Sequence, residues 1–466
     1  MSTTAARRLL LVLSHSLHVR NFVASGLVDM LAARGHAVTL VVPDDLVAVV
    51  RDDVGPRAAV RPLGAIPGGG VRRRIRGVLR TASYVARADL STYRHKIASR
   101  RTSLPDRVAV GGLRTLVRAT ALEPLARRVE AALPIVAEAA RLLEETRPDL
   151  VVTATFIHDA VDVDIRKAAR ERQVPVLGFP ASWDTLTSKG CFLVPPDALM
   201  VWGEDTHRHA VDYHDYPPDR VVVTGPPHFD VYAPSWPAEP REGFLSQRGI
   251  DPRHRVLLFA GTTVTYMADE PLQIRALSDL VARGELADCA IWYRPHPRRS
   301  ARDVGELASL PGVYVDDQVL RHQGRGRPAY SVARDDLAHY RGLMDACEGV
   351  ITAFSTMIIE AALMGKPSLV VGFGLADGTP DGVLQHAEYE HMRDVLSTPG
   401  VVLCRTADEL VAGVRRVAGG ELAPYGDLLR KRAREIAHAE DGRARQRIVE
   451  TIERFAAGSC LPRGAR

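Results

Sequence analysis

Residues 349–372 read GVITAFSTMIIEAALMGKPSLVVG, a strand, a short helix and a second strand with almost no connecting chain. Gly349 to Ala353 forms the first strand, and Ser355 and Thr356 stand where a helix N-terminus needs side-chain oxygens. The second strand, Ser368 to Gly372, starts directly after Gly365-Lys366-Pro367, the tight spacing of a βαβ unit. A helix that opens at a strand end offers free N–H groups and a partial positive charge, which suit a diphosphate. Glu360 lies one turn deeper, where a carboxylate can take the two hydroxyls of a ribose. The plainer reading of Ser355 is an N-cap and nothing more.

The alternation continues on both sides. Upstream, Val256 to Ala260, Ala290 to Arg294 and Gly312 to Val315 read as strands separated by helical patterns. Downstream, residues 416–466, rich in Arg, Ala and Glu, read as terminal helices. A separate series opens the chain. Leu9 to Leu13 is a continuous apolar run; Phe22, Val23, Leu27, Met30 and Leu31 then recur at helical spacing. Gly35 stands at that helix's C-terminus, and Val38 to Val42 is the next strand. Asp149 to Thr155, Val174 to Phe179, Ala198 to Trp202 and Val221 to Thr224 extend the series, with a helix over Asp159 to Arg172. Pro226-Pro227, Pro234, Pro237 and Pro240 then forbid a helix or an inner strand, which places a linker at 226–243. The pattern predicts an α/β chain of two Rossmann-like, doubly wound parallel-sheet domains, 1–225 and 244–415, followed by the terminal helices.

Composition agrees. The chain has 466 residues, 46% apolar and 25% charged, with mean hydropathy near zero, so collagen-like, disordered and polytopic membrane classes are excluded. No run approaches the ~18 apolar residues of a spanning helix, and Leu9 to Leu13 behind Arg7-Arg8 is too short for a secretory signal. The five cysteines are scattered and odd in number, without a Cys-x-x-Cys spacing, which points to a reducing cytoplasm.

The net charge of +5 hides an asymmetry. Residues 71–120 hold 13 Arg or Lys and two acids, about +11, which leaves about −6 for the rest. The stretch 71–145 lacks strand signals and exceeds an ordinary connection, so it reads as a basic helical insertion in the first domain. Val71, Ile75, Val78, Leu79, Val85 and Ile97 fall near helical spacing among Arg72, Arg73, Arg74, Arg76 and Arg80. Such a helix can lie on an anionic membrane surface and bring the first domain to a lipid-linked or polymeric anionic acceptor. A solvated Arg-rich helix is the plain alternative. No aromatic-interleaved or zinc motif supports a nucleic-acid partner.

In open α/β sheets ligands bind beyond the carboxyl ends of the strands, so the loops there supply the candidates. In the second domain Gly261-Thr262-Thr263 offers close backbone approach and two hydroxyls. Arg294-Pro295-His296-Pro297 holds Arg294 and His296 in a stiff loop, with Arg suited to phosphate and His able to donate to it or act as acid. In the first domain His15 and His18 follow the first strand, and His158-Asp159 follow another. The loop from Pro180 gathers Ser182, Trp183, Asp184 and Lys189, an aromatic face, a carboxylate and one of only five lysines against 56 arginines. His18, Asp159 and Asp184 are the candidate general bases; His15, His158, Ser182, Trp183 and Lys189 would line the acceptor site. Asp162-Val163-Asp164 looks like a metal-binding Asp-x-Asp. Residues two apart on a helix do not share a face, so it reads as solvated surface.

Two such domains in series, Gly35-His36-Ala37-Val38 after the first helix and Ser355-Thr356-x-x-x-Glu360-Ala361 late in the second domain resemble the GT-B glycosyltransferase superfamily. Gly225-Pro226-Pro227-His228-Phe229-Asp230 and Arg294-Pro295-His296-Pro297 are similar to its CDP-glycerol glycerophosphotransferase branch. That branch usually carries Arg in place of His228 and Pro-Thr-Trp-Arg in place of Gly261-Thr262-Thr263. The Glu-x7-Glu pair of retaining members is incomplete, since Thr352 precedes Glu360 by that spacing. The Gly-Thr-Arg-Pro-Glu signature of the related UDP-GlcNAc 2-epimerases is replaced by Ser14-His15-Ser16-Leu17-His18.

The resemblance implies a cytoplasmic, metal-independent glycosyltransferase that moves a sugar from a nucleotide-diphosphate sugar to an acceptor hydroxyl in surface polysaccharide or glycoconjugate synthesis. It would need no cofactor beyond that donor. Gly261, Thr262, Thr263, Arg294, His296, Ser355 and Thr356 would surround the diphosphate, with Glu360 on the ribose. The alternatives are a CDP-polyol phosphotransferase acting through His296 or His228, and a non-catalytic nucleotide-sugar-binding partner.

Overall fold

The structure is a computed structural model, and it describes residues 5–64, 70–99, 112, 122–157, 159–264, 267–299, 304–318, 334–375 and 383–458. Two compact units emerge, one from the described residues of Met1–His228 and Arg443–Arg466, the other from Phe229–Gly442. The helix Ala444–Ala456 therefore belongs to the first unit, where Glu453 pairs with Arg34 at 2.8 Å and with His36 at 3.2 Å.

The first unit holds seven parallel strands: β1 (Arg8–Leu13), β2 (Ala37–Val42), β3 (Ala58–Pro62), β4 (Leu150–Thr155), β5 (Val176–Pro180), β6 (Ala198–Val201) and β7 (Val221–Val223), ordered β3-β2-β1-β4-β5-β6-β7. The second holds β8 (Arg255–Ala260), β9 (Cys289–Arg294), β10 (Val313–Val315), β11 (Cys347–Thr352), β12 (Ser368–Val371) and β13 (Val401–Cys404), ordered β10-β9-β8-β11-β12-β13. In both sheets the strand order reverses once, between β1 and β4 and between β8 and β11, where Leu9 pairs with Leu150 and Val350 with Leu258 in parallel register. Those reversals open a crevice at the strands' carboxyl ends. The central strands are buried throughout, as parallel strands covered by helices on both faces must be. β3 and β13 were not apparent in the sequence. Each is a short edge strand; in β3 only Val60 is buried, so its apolar signal is weak, whereas β13 is a four-residue apolar run, Val401-Val402-Leu403-Cys404.

The helix read from Phe22 to Leu31 is broken. A short helix Ser16–Val19 passes into a π-helical turn Arg20–Ala24, and Gly26 at φ +82° separates these from the helix Leu27–Ala33. From this turn Asn21 Nδ2 donates to the Ala181 carbonyl at 3.4 Å and Arg20 reaches His228.

The basic stretch folds into helices Gly70–Ala86, Ser91–Ser99 and Leu122–Ala132; most of residues 100–121 lie outside the described residues. The following helix, Ala137–Thr146, belongs to the sheet's own helical layer, since Ala139 and Leu143 pack with Leu10, Val12, Val151 and Ile165. Asp162 and Asp164 are fully buried, which corrects their reading as solvated surface. Their helix, Ala160–Glu171, is covered by the insertion. Arg76 bonds Asp164 at 2.8 and 2.9 Å and Glu130 at 2.7 and 3.0 Å; Arg72 adds a bond to Asp164 at 2.9 Å. The two carboxylates lie on different sides of one helix: the insertion covers Asp164, and Asp162 is buried beside Asp159, Thr155, Ser14 and Arg166.

Candidate functional site

Each sheet reversal carries a polar cluster. In the first unit β1 ends at Ser14, whose hydroxyl donates to Asp159 Oδ2 at 3.0 Å and lies 3.4 Å from His18 Nδ1. One serine thus joins the loops after β1 and β4. Asp159 is half-buried at the start of its helix, whereas His18 has no exposed surface. The His18 ring lies 5.0 Å from that of Phe156, and its Nε2 has no hydrogen-bond partner among the described residues. Burial, reinforced by His15, pulls the His18 pKa down to about 3, so the imidazole is neutral in any physiological solution. His15 is half-buried and caps the helix Ser16–Val19, its Nδ1 accepting from the Leu17 N–H at 3.1 Å. His158 lies outside the described residues.

Beneath this group, the buried Asp162 carboxyl is pushed up to about 8 by desolvation and by Asp159, against the opposing pull of Arg166 and the Thr155 and Ser14 hydroxyls. Sequence reading did not connect Ser14 or Asp162 with the site. Ser14 was visible only as one letter of the loop after the first strand, and Asp162 only as half of a rejected metal motif.

The loop after β5 is built as a clamped turn. Trp183 is buried, so its ring face is covered. Asp184 is the cap residue of the helix Thr185–Ser188 and accepts from Ser188 Oγ at 2.8 Å. The Ser182 N–H donates to Thr185 Oγ1 at 3.1 Å. Lys189 is half-buried with its ammonium 5.7 Å from the centroid of Phe156, so it does share the β1–β4 cluster. The insertion positions this loop. Lys96 donates to the Ser188 carbonyl, and Tyr93 accepts from the Gly190 N–H at 3.2 Å. Gly190, at φ +85°, leaves no room for a Cβ, which would stand 2.7 Å from Ser83 Oγ. His228 is also in this unit, buried beside Trp202 and 3.1 Å from Arg20 Nη2; burial and that guanidinium hold its pKa well below the ordinary value.

In the second unit the loop after β8 is organised by Glu270, which sequence reading did not single out. Its carboxyl accepts from the Thr262 N–H at 2.7 Å and from the Tyr293 hydroxyl at 2.6 Å, and pairs with Arg299 at 3.3 Å. Burial raises its pKa despite those partners. Gly261 is obligatory for this arrangement, because a Cβ would lie 2.6 Å from Glu270 Oε1. The Gly261 N–H donates to the Arg294 carbonyl at 2.9 Å, which ties this loop to the next.

The Arg294 guanidinium is committed. It donates to Asp316 at 2.7 Å and Gln318 at 2.9 Å and lies 4.1 Å over the Tyr340 ring. His339 holds the other side of Asp316 at 3.1 Å. Arg294 therefore anchors a buried network and faces any anion only with its remaining donors. His296 is half-buried; its Nδ1 accepts from the Arg298 N–H, and burial with Arg298 and Arg299 nearby lowers its pKa to about 4. Ser355 Oγ accepts from the Met357 N–H at 3.2 Å, and Thr356 is the cap position of the helix Met357–Leu363. Glu360 is buried and receives the Tyr232 hydroxyl. Thr262 and Thr263 stand at the β8 end, which Thr352 ties to β11 by a bond to the Ala260 carbonyl at 3.0 Å.

No protein-family model matches the sequence, and no curated protein matches it. Solved structures do share its architecture. A UDP-GlcNAc 2-epimerase from Neisseria meningitidis, solved with UDP-GlcNAc bound, is 13% identical over 95% of this chain and 99% of its own, with TM-score 0.53. A glycosyltransferase from Rickettsia africae is 11% identical over 97% and 99%, with TM-score 0.52. The calicheamicin glycosyltransferase CalG4 is 14% identical over 98% and 100%, with TM-score 0.52. The chain has the GT-B fold, as the resemblance of its motifs led us to expect. Within that fold its solved counterparts include both sugar-transferring and sugar-epimerising proteins.

Proposed function

We propose that this chain is a nucleotide-sugar-dependent glycosyltransferase whose first unit supplies the acceptor site and general base. The observation that carries the reading is the Ser14 bridge, which holds the half-buried Asp159 carboxylate and the neutral His18 imidazole at the β1–β4 reversal. Asp159 would take the proton of the attacking hydroxyl while Ser14 and His18 hold it in place. In the second unit Gly261 would allow close approach of the donor diphosphate, which would be received by the hydroxyls of Thr262, Thr263, Ser355 and Thr356, with His296 at the rim and Glu360 toward the ribose. The reading needs no bound metal, since these donors and the nearby cations would neutralise the leaving diphosphate. The acceptor would be lipid-linked or an anionic polymer of the cell envelope, met at the cytoplasmic face.

The test is a thermal-shift screen against UDP-, GDP-, dTDP- and CDP-linked compounds, followed by product analysis. A donor at 100 times its Kd would stabilise the fold by about 2.7 kcal/mol. Release of a nucleoside diphosphate with the sugar transferred supports the reading. Release of a nucleoside monophosphate would instead mean polyol-phosphate transfer, and a free epimerised sugar nucleotide would mean epimerisation.

A further inference from the structure

Nine large apolar side chains are exposed among the described residues, and four of them sit on two adjoining helices of the insertion. Val71 and Val78, 71% and 56% exposed, lie on the helix Gly70–Ala86; Leu125 and Val129, 39% and 37% exposed, lie on the helix Leu122–Ala132. The two helices are joined through the Arg76–Glu130 pair, and Leu79 and Ala126 share one apolar cluster. Residue numbers rise along one helix as they fall along the other, so the pair runs antiparallel. At 100° per residue, Val71, Arg74 and Val78 form one strip beside that seam, and Leu125 and Val129 form another. In an antiparallel pair these two strips turn to the same side. The face is apolar along its middle and cationic at its edges.

Its cations, Arg74 and Arg128, are exposed and make no hydrogen bond or ion pair with a described residue, whereas Arg72 and Arg76 are consumed by Asp164 and Glu130. The helix Gly70–Ala86 contains no acidic residue, and Glu123 on the other helix turns toward Arg127. A protein-binding face would normally present aromatic anchors. Here Tyr84 and Tyr93 are buried against each other, and the exposed strips contain only Val and Leu among Arg.

We infer that the antiparallel helices Gly70–Ala86 and Leu122–Ala132 form a docking face for an anionic lipid bilayer, with Val71, Val78, Leu125 and Val129 entering the headgroup layer and Arg74 and Arg128 meeting lipid phosphates. No helix among the described residues is long and apolar enough to cross a membrane, so the contact is one of surface attachment. The apolar area is small, which makes binding reversible and salt-sensitive. The inference rests on the first unit alone and holds whichever reaction the chain performs.

The test is co-sedimentation of the full-length protein with vesicles of phosphatidylcholine alone and of phosphatidylcholine with phosphatidylglycerol, at low and high salt. The wild type should bind only the phosphatidylglycerol vesicles and leave them as salt rises. An Arg74→Gln/Arg128→Gln variant should lose roughly 30-fold in vesicle affinity. A Val71→Ser/Val78→Ser/Leu125→Ser/Val129→Ser variant should also detach. Every substituted side chain is exposed, so both variants should keep the wild-type Tm, which separates lost attachment from lost folding. Wild-type protein that stays in the supernatant with phosphatidylglycerol vesicles at low salt overturns the inference and leaves the face to an acidic protein. Undiminished binding by both variants overturns it equally.

Discussion

Asp159 and Gly261 are single residues whose surroundings allow sharp expectations. Under the proposed reaction, Asp159→Asn keeps the Ser14 hydrogen bond but removes the basic oxygen. Turnover should fall about 10²–10⁴-fold while the donor-induced Tm shift persists. Full turnover by that variant would move the base to Asp184 or His18. Gly261→Ala drives a methyl into Glu270 Oε1 and toward the Arg294 carbonyl, 3.1 Å away. Glu270 cannot swing aside without leaving Tyr293 and the Thr262 N–H. The expected loss is about 1–3 kcal/mol in a urea melt, with weaker donor binding. Both residues were recognisable as strand-end residues. Their partners Ser14 and Glu270 were not: Ser14 reaches Asp159 across 145 residues, which leaves no spacing pattern, and Glu270, at the end of the same loop as Gly261, belongs to no recognisable motif.

At the scale of elements, the insertion is held by a buried ion network. Arg76 is 7% exposed and its partners Glu130 and Asp164 are fully buried. Arg76→Ala strands two buried carboxylates and should cost about 3–5 kcal/mol by denaturant titration. Arg73→Ala, on the exposed side of the same helix, should stay within about 0.5 kcal/mol. The sequence showed that these helices are basic and amphipathic. It could not separate the arginines that dock the insertion from those left outside, since Asp164 is 88 residues from Arg76 and Glu130 is 54. Strand identity followed burial in the same way. β1, β4, β8 and β9 announce themselves as apolar runs, whereas β3, with Val60 as its one buried residue at the sheet edge, does not.

Across the whole molecule, buried titratable groups set opposing pH dependences. Asp162 titrates near 8 in the fold against an ordinary 3.8, so the native state binds the extra proton and this contribution to stability is lost as pH rises from about 4 to 8. His18 and His214, lowered to about 3 and about 4 by burial, act at the other end. The unfolded chain takes up their protons first, so their contribution is lost as pH falls below about 6.5. Asp162→Asn should therefore flatten the alkaline limb of a stability–pH curve and leave the acid limb in place. A curve unchanged by that substitution would mean Asp162 stays ionised. What the sequence determined by itself was the alternation of apolar strands and helices, hence two parallel sheets and the loops that border their carboxyl ends. Burying both faces of a strand requires consecutive apolar residues, and that requirement is written locally. Which residues meet in those loops, which arginines are spent on carboxylates and which face solvent were decided only by the tertiary structure. These depend on contacts between residues far apart in the chain, and single-chain spacing carries no record of them.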